Sequence, residues 1–416
     1  MRLFFIGIVL LGMYSSRISA QQTCVSFDYQ QGQLATQPNL QSKLEQIETF
    51  TRKQLANRSN TARRGNELPV VVIPVVVHIL YHLPEENISD ARVRSQIDVL
   101  NKCFRRLCDD TLNTPERFRA LAADVQIEFK LATSDSKSRA TTGIIHKYTP
   151  VPQWDADDAI KFSDHMGDDA WESTNYFNIW VGNMRRLAGY SSFPGGPAER
   201  DGIAISYWAF GLNGSDYGLG KTAVHETGHW LGLRHIWGDS YCGDDWIDDT
   251  PKQANFTSGC PSGIRPSCAN QPDGDMYMNY MDLTADACTN LFTEGQKARM
   301  LTSFDPGGTH YSLLYSRGLT TPLFMEIPVD NSAPRWLYPQ LYPNPATTQM
   351  ILDVSYDQRW MGKTLQITNI MGQPIQQISI TNKIQTIDIN RLTPGVYFLT
   401  GRKEDGAIIK QKFVKR

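Results

Sequence analysis

The sequence predicts two folded units in tandem: an α/β (α+β) domain with a mixed sheet and backing helices, then a small all-β sandwich. Three observations carry this. The chain has 416 residues, more than one core usually fills. Between Val70 and Met300, β-branched strand runs alternate with a capped helical pattern. From Leu341 onward only short alternating strands and turns remain.

Composition narrows the class. Apolar residues make up 41% and charged residues 20%, as in ordinary globular proteins. A net charge of −2 gives no footing for nucleic acid or an anionic membrane as partner. Seventeen Tyr and nine Trp suit a secreted protein rich in loops and strands. No stretch after the N-terminus is long and apolar enough for a transmembrane helix, and the chain is read as a monomer.

The elements follow in order. Arg2 and the apolar run Leu3 to Met13 form a leader too short to span a bilayer, so residues 1–20 read as a signal peptide cut after Ala20. No Cys follows the cut directly, which argues against a lipoprotein anchor. Export places the chain where disulfides survive. Gln21 to Pro69 is polar, Gln/Asn-rich and short of apolar material, and residues 21–62 read as a pro-peptide. "VVVIPVVVHILYHL" from Val70 is a strand buried on both faces. "SDARVRSQIDVLNKCFRRL" opens on a Ser/Asp cap, with helical spacing through Val93, Ile97, Leu100 and Phe104. "DVQIEFKLA" and "YFNIWVGNM" are further strands. The first domain spans 63–318, a linker 319–338 and the sandwich 339–416.

"AVHETGHWLGLRHIWGD" (Ala223 to Asp239) carries the chemistry. His225 and His229 share one helix face a turn apart, which suits two corners of a tetrahedral Zn²⁺ site. Glu226 projects alongside as a base that can take a proton from the attacking water. Gly232 tolerates the left-handed backbone that ends a helix, so the chain can turn and return His235 as third ligand. The fourth position stays open, the mark of a catalytic site. The competing reading is an amphipathic helix with satisfied core histidines, and the added Gly and third His argue against it.

This H-E-x-x-H-x-x-G-x-x-H stretch resembles the metzincin metallopeptidases. The flanks "HIWGDSYCGDDWIDDTP", "GCP", "SC" and "MNYMDLTADACTNLFTEGQKARM" resemble the pappalysin family, in its bacterial ulilysin-like and mirolysin-like branch. The resemblance runs from about Val70 to Ser316. It implies that Met281 is the Met-turn residue forming an apolar floor under the zinc. Leu283 stands where many metzincins carry a Tyr, so that helper is absent here. Asp286 matches the acidic residue of a substrate pocket that selects Arg, and Lys less well. "LAGYSSFPG" (Leu187 to Gly195) would be the edge strand that pairs with an extended substrate. The resemblance also implies the disulfides Cys242–Cys268 and Cys260–Cys288.

Seven cysteines leave three more. Cys103 and Cys108 could close a small loop or remain free. Cys24 is the odd one: its thiolate could fill the open zinc position in a latent form, or it could simply be discarded with the pro-peptide. Arg52, Arg58, Arg63 and Arg64 lie downstream as candidate maturation sites. "CGDDWIDDTP" concentrates carboxylates suited to Ca²⁺, as the family also implies, with Asp245, Asp248 and the Thr250 carbonyl as ligands. A solvated acidic loop without an ion is the alternative.

The C-terminal "LYPNPA", "IMGQPI", "INRLTPGVYFL" and basic "KQKFVKR" resemble the Por secretion tail, the sorting domain of bacterial type IX secretion. That implies the outer-membrane secretion machinery as partner; a carbohydrate- or protein-binding sandwich is the alternative. Together the resemblances imply a secreted zinc endopeptidase, either released or attached to the cell surface, made as a zymogen, with protein and peptide substrates cut N-terminal to Arg or Lys. A silent adhesin with a relic metal site and another zinc hydrolase, such as an amidase, are the rivals.

Overall fold

A computed structural model of the chain describes residues 24–61, 69–214, 217–324, 339–354, 360–402 and 408–416. The expected cleavage after Ala20, the candidate sites Arg63 and Arg64, and most of the expected linker lie outside the described residues.

The β-branched run forms β1 (Val71–Tyr81), whose residues from Ile73 to Tyr81 are all buried. Such a strand needs neighbours on both edges and cover on both faces. β2 (Ile127–Leu131) and β3 (Ile144–Tyr148) divide one edge of β1 between them, both parallel to it. β4 (Phe177–Gly182) takes the other edge, Val75 facing Phe177. β5 (Gly189–Ser191) pairs antiparallel with β6 (Ile203–Ser206), which runs parallel to β4. The order β2-β1-β4-β6-β5 leaves β5 on the rim, within the stretch expected to be the substrate strand. The mixed sheet agrees with the predicted class.

Helix α3 (Asp90–Phe104) starts where Ser89 accepts the Arg92 amide, and it buries Val93, Ile97, Leu100 and Phe104. It packs against β2 and the metal-motif helix α5 (Lys221–Trp230). A short helix, α4 (Glu116–Arg119), precedes β2. All ten residues of α5 are buried. Residues 231–293 hold little regular structure and are stapled by Cys242–Cys268 and Cys260–Cys288. α6 (Glu294–Thr302) follows, with Thr293 and Gln296 forming a capping box.

The polar N-terminal stretch, read as a pro-peptide, is folded against the first domain. It forms two helices, α1 (Ser26–Thr36) and α2 (Leu40–Thr61), that dock on the domain. Tyr29, Leu40 and Thr51 are buried. Ion pairs do much of the holding: Glu48 meets Arg299 at 2.6 Å, and Arg58 pairs with Asp305. Apolar contacts add to this: Leu44 and Ile47 lie against Gly195, and Phe50 against Gly307.

The C-terminal unit is two antiparallel sheets. One holds β10 (Pro374–Ser379), β9 (Thr364–Thr368), β12 (Gly395–Arg402) and β13 (Ile408–Lys415). The other holds β11 (Ile384–Asp388), β8 (Gln349–Asp353) and β7 (Gln340–Tyr342). Trp360, Leu365, Leu352, Leu399 and Phe413 fill the core of this unit.

Candidate metal centre

α5 carries His225 and His229 on one face, and Gly232 takes φ +87° just past its end. That turn returns His235 to the same point. His229 Nε2 lies 3.1 Å from His225 Nε2 and 3.2 Å from His235 Nε2. Each ring is aimed by its other nitrogen. Nδ1 of His225 meets the Tyr280 carbonyl at 2.7 Å, Nδ1 of His229 the Leu233 carbonyl at 2.9 Å, and Nδ1 of His235 the Asp239 carboxylate. The Nδ1 nitrogens therefore carry the protons, and three Nε2 lone pairs point at one another. Burial and the neighbouring His235 push His225 down to about 3 and His229 well below its usual value, which favours the neutral form of these two rings.

The donor set fits Zn²⁺. Tetrahedral zinc with bonds of about 2.0–2.1 Å to nitrogen and 2.3 Å to sulfur places N and N roughly 3.3 Å apart, and N and S roughly 3.6 Å apart. Cys24 Sγ lies 3.5 Å from His229 Nε2. Cys24, His225, His229 and His235 offer ligand atoms all within 4.8 Å of one another, the one such group among the described residues. Without a cation beside it, burial and the Glu226 charge hold the Cys24 thiol well above its usual range. Its ionisation therefore depends on the metal.

Glu226 stands beside this cluster. Its Oε2 accepts the Ser26 hydroxyl at 2.7 Å, and its buried Oε1 has no hydrogen-bond partner among the described residues. Burial raises Glu226 to about 7, against the lowering contacts of Ser26 and Cys24. Ser26 Oγ also accepts the Ser191 amide at 2.9 Å, and Cys24 bridges to Gly189. The N-terminal segment thus covers the Glu226 carboxylate and the β5 edge together. Further along, the Tyr29 hydroxyl donates to the buried Asp158 carboxylate at 2.6 Å.

Met281 is fully buried below α5. A Cβ on Gly228 would meet its Sδ at 2.5 Å, so only glycine lets the two elements approach. The sequence reading passed over Gly228, Ser26 and Asp239. Gly228 sits inside the motif's spacer, and Asp239 lies four residues beyond His235 in the turn that follows it, where a histidine-orienting carboxylate could have been sought. Leu283 packs with Ile236 and Trp237 and offers no polar group to the site.

Asp286 is buried against the start of α5. Its Oδ2 accepts the amides of Leu219 and Lys221 at 3.1 and 3.2 Å, while Oδ1 is buried without a partner. Burial raises it to about 6, against those two amides. Cys103 and Cys108 are unbonded, with sulfurs 2.9 Å apart. Asp245 is buried and turned onto the Thr250 hydroxyl and Ile247 amide, and Asp248 is exposed. Asp249 accepts from Thr293 and the Gly295 amide at the start of α6.

Comparison with known proteins agrees with this geometry. The family model described as pregnancy-associated plasma protein-A matches residues 161–305, and that of the secretion system C-terminal sorting domain matches 340–416. An extracellular metalloprotease of Pyricularia oryzae is 46% identical over 124 residues, 28% of this chain and 44% of that protein. The chain spans less than half the length of the first curated relatives it matches. Mature mirolysin of Tannerella forsythia, solved with a cleaved peptide, is 45% identical with a TM-score of 0.60. The match covers 62% of this chain and all of that one. A Tannerella forsythia promirolysin mutant is 41% identical with a TM-score of 0.66, covering 72% of this chain and all of that one. The chain belongs to the pappalysin family, peptidase family M43, and ends in a secretion sorting domain.

Proposed function

We propose that the chain is a secreted zinc endopeptidase, made latent, that cuts extended peptides before Arg and, less well, Lys. One observation carries this reading: three Nε2 lone pairs converge beside the unpartnered Oε1 of Glu226. A bound Zn²⁺ supplies Lewis-acid polarisation of water and of the scissile carbonyl. Glu226, raised to about 7, is poised to take the proton of the attacking water and hand it to the leaving amine. The rim strand β5, whose edge Cys24 and Ser26 cover here, suits an extended substrate once that segment leaves. The solved mirolysin complex with a cleaved peptide supports the same use of the site. Leu283 offers no hydroxyl to the site, so among the protein groups the β5 backbone is left to face the carbonyl oxygen, and a cation held by His225, His229 and His235 would supply the remaining charge stabilisation. The free Oδ1 of Asp286 supports Arg recognition, since a buried carboxylate left unpaired penalises a neutral side chain. Cleavage of casein that stops with chelator and returns with Zn²⁺, at bonds before Arg in the digest, is the expected result. Chelator-resistant cleavage, or none, would leave another hydrolase or an inert adhesin.

The N-terminal segment is the latency device: Cys24 offers the fourth ligand and Ser26 occupies Glu226. The promirolysin relative supports this reading. The sorting domain hands the chain to the outer-membrane secretion machinery. A structural Ca²⁺ on Asp245, Asp248 and the Thr250 carbonyl belongs to the proposal through family likeness and acidic density. Burial raises Asp245 from 3.8 to about 7. Its contribution to stability is thus full below about pH 4 and lost as pH rises through about 7. Ca²⁺ should restore the melting temperature above that pH, and Asp245→Asn should remove both the slope and the Ca²⁺ effect. A calcium-independent melting temperature would remove the ion.

A further inference from the structure

Beyond the end of α5, on the far side of the histidines from Asp286, three guanidiniums meet one indole, two from the domain and Arg52 of the N-terminal segment at 5.7 Å. Arg234 lies 3.3 Å from the Trp246 ring centre and Arg299 5.4 Å. Arg299 Nε donates to the Gly232 carbonyl at 2.9 Å, which fixes the pair to the turn between His229 and His235. The counter-charge comes largely from the N-terminal segment. Glu48 Oε2 meets Arg299 at 2.6 Å and Glu48 Oε1 meets Arg52 at 2.9 Å. Glu48 is held below the usual carboxylate range: burial opposes this, and the Arg299 and Arg52 contacts overcome it. Arg234 is lowered by burial and by the Arg299 charge, with Asp239, Glu48 and Asp244 opposing. A cleft of about 570 Å³ lies between the segment and this patch, lined on the domain side by Phe193, Pro194, Gly232, Arg234, Trp246 and Arg299.

Maturation removes Glu48 and Arg52 together. Two crowded guanidiniums then remain beside an exposed indole, with Asp239 and Asp244 as the residual acids. A carboxylate entering there regains a charge-assisted contact on a preorganised arginine. We propose that the Arg234–Arg299–Trp246 patch is an acidic-residue subsite of the mature enzyme, which Glu48 occupies in the latent form. The inference rests on the peptidase reading. Asp286, at the start of α5, is assigned to the residue after the scissile bond, and the patch lies past the other end of the helix. It therefore takes a Glu or Asp of the substrate on the N-terminal side of that bond, near where the chain leaves the β5 edge at Phe193.

The test is a set of fluorogenic peptides with one Arg after the scissile bond. Glu is compared with Gln at each of the second to fifth positions before the bond. At one position the Glu peptide should show about tenfold higher kcat/KM than its Gln twin. That ratio should fall to near one in Arg234→Gln and reverse in favour of a Lys peptide in Arg234→Glu. Because Arg299 also holds Gly232, Arg299→Gln is read only as the Glu-to-Gln ratio within the one variant, where general loss of activity cancels. A ratio near one at every position in the wild type overturns the subsite, as does a tenfold ratio that survives both Arg234→Gln and Arg299→Gln. Failure to cleave any peptide, Gln twins included, would instead remove the peptidase reading and the subsite with it.

Discussion

Replacing Cys24 by Ala in the full chain takes one ligand from the metal and leaves the rest of the segment seated. Ser26 still reaches Glu226 and the Ser191 amide, Tyr29 still reaches Asp158, and Glu48 and Arg58 still pair with Arg299 and Asp305. Four-ligand zinc sites gather about 10–16 kcal/mol, so one ligand is worth about 3 kcal/mol. At 1.4 kcal/mol per factor of ten, the fraction of open segment should rise about a hundredfold. Self-processing, followed as loss of full-length chain at equal zinc, should accelerate by a similar factor. Ser26→Ala, which removes one hydroxyl contact to a carboxylate, should accelerate it by about tenfold. Glu226→Ala should not process at all. The position of the cut is also constrained. Arg58 sits in the last turn of α2 with its guanidinium on Asp305 and on the Leu301 carbonyl. A cut there needs helix and pair to open, so the first cut is expected before Arg63. Equal processing rates for wild type and Cys24→Ala would falsify the thiol switch and assign latency to the docked helices.

Two further outcomes follow from the same geometry. Asp286, raised to about 6, is charged above that pH, so preference for an Arg peptide over its neutral citrulline twin should be full above about pH 7 and fade below about pH 5. Asp286→Asn should show a low, pH-independent ratio, and a wild-type ratio flat across that range would contradict the pocket assignment. Gly228→Ala forces a Cβ into Met281 Sδ at 2.5 Å. Overpacking of this kind costs about 1–3 kcal/mol. It should lower the melting temperature by several degrees and weaken zinc retention in dialysis, whereas an unchanged melting temperature would mean that the Met-turn yields freely.

The metal centre was legible because its information is local. His225 and His229 share a helical face, and Gly232, the residue that must turn, takes the left-handed backbone. The β1 run announced its central place through its Val- and Ile-rich stretch, and Leu187 to Gly195 contains the edge strand β5. What sets the rings was less visible. The acceptors on His225 and His229 are main-chain carbonyls of Tyr280 and Leu233, and carbonyls leave no mark in a sequence. The docking of α1 and α2 was hidden for another reason. Glu48, Arg52 and Arg58 look like a solvated polar face until Arg299 and Asp305 arrive from about 250 residues away. In the acidic loop the carboxylates take separate protein partners that their spacing does not reveal. Asp249 serves the start of α6, and Asp245 turns onto Thr250.

The central claim is that Glu226 moves the proton while three histidines hold the zinc. The direct measurement is metal content and turnover on one sample of Glu226→Ala, freed of its N-terminal segment by a trace of tagged wild-type enzyme that is then removed. The account predicts about one zinc per chain, an unchanged fold by circular dichroism, and turnover of an Arg peptide reduced roughly a thousandfold. One zinc per chain with wild-type turnover would contradict it.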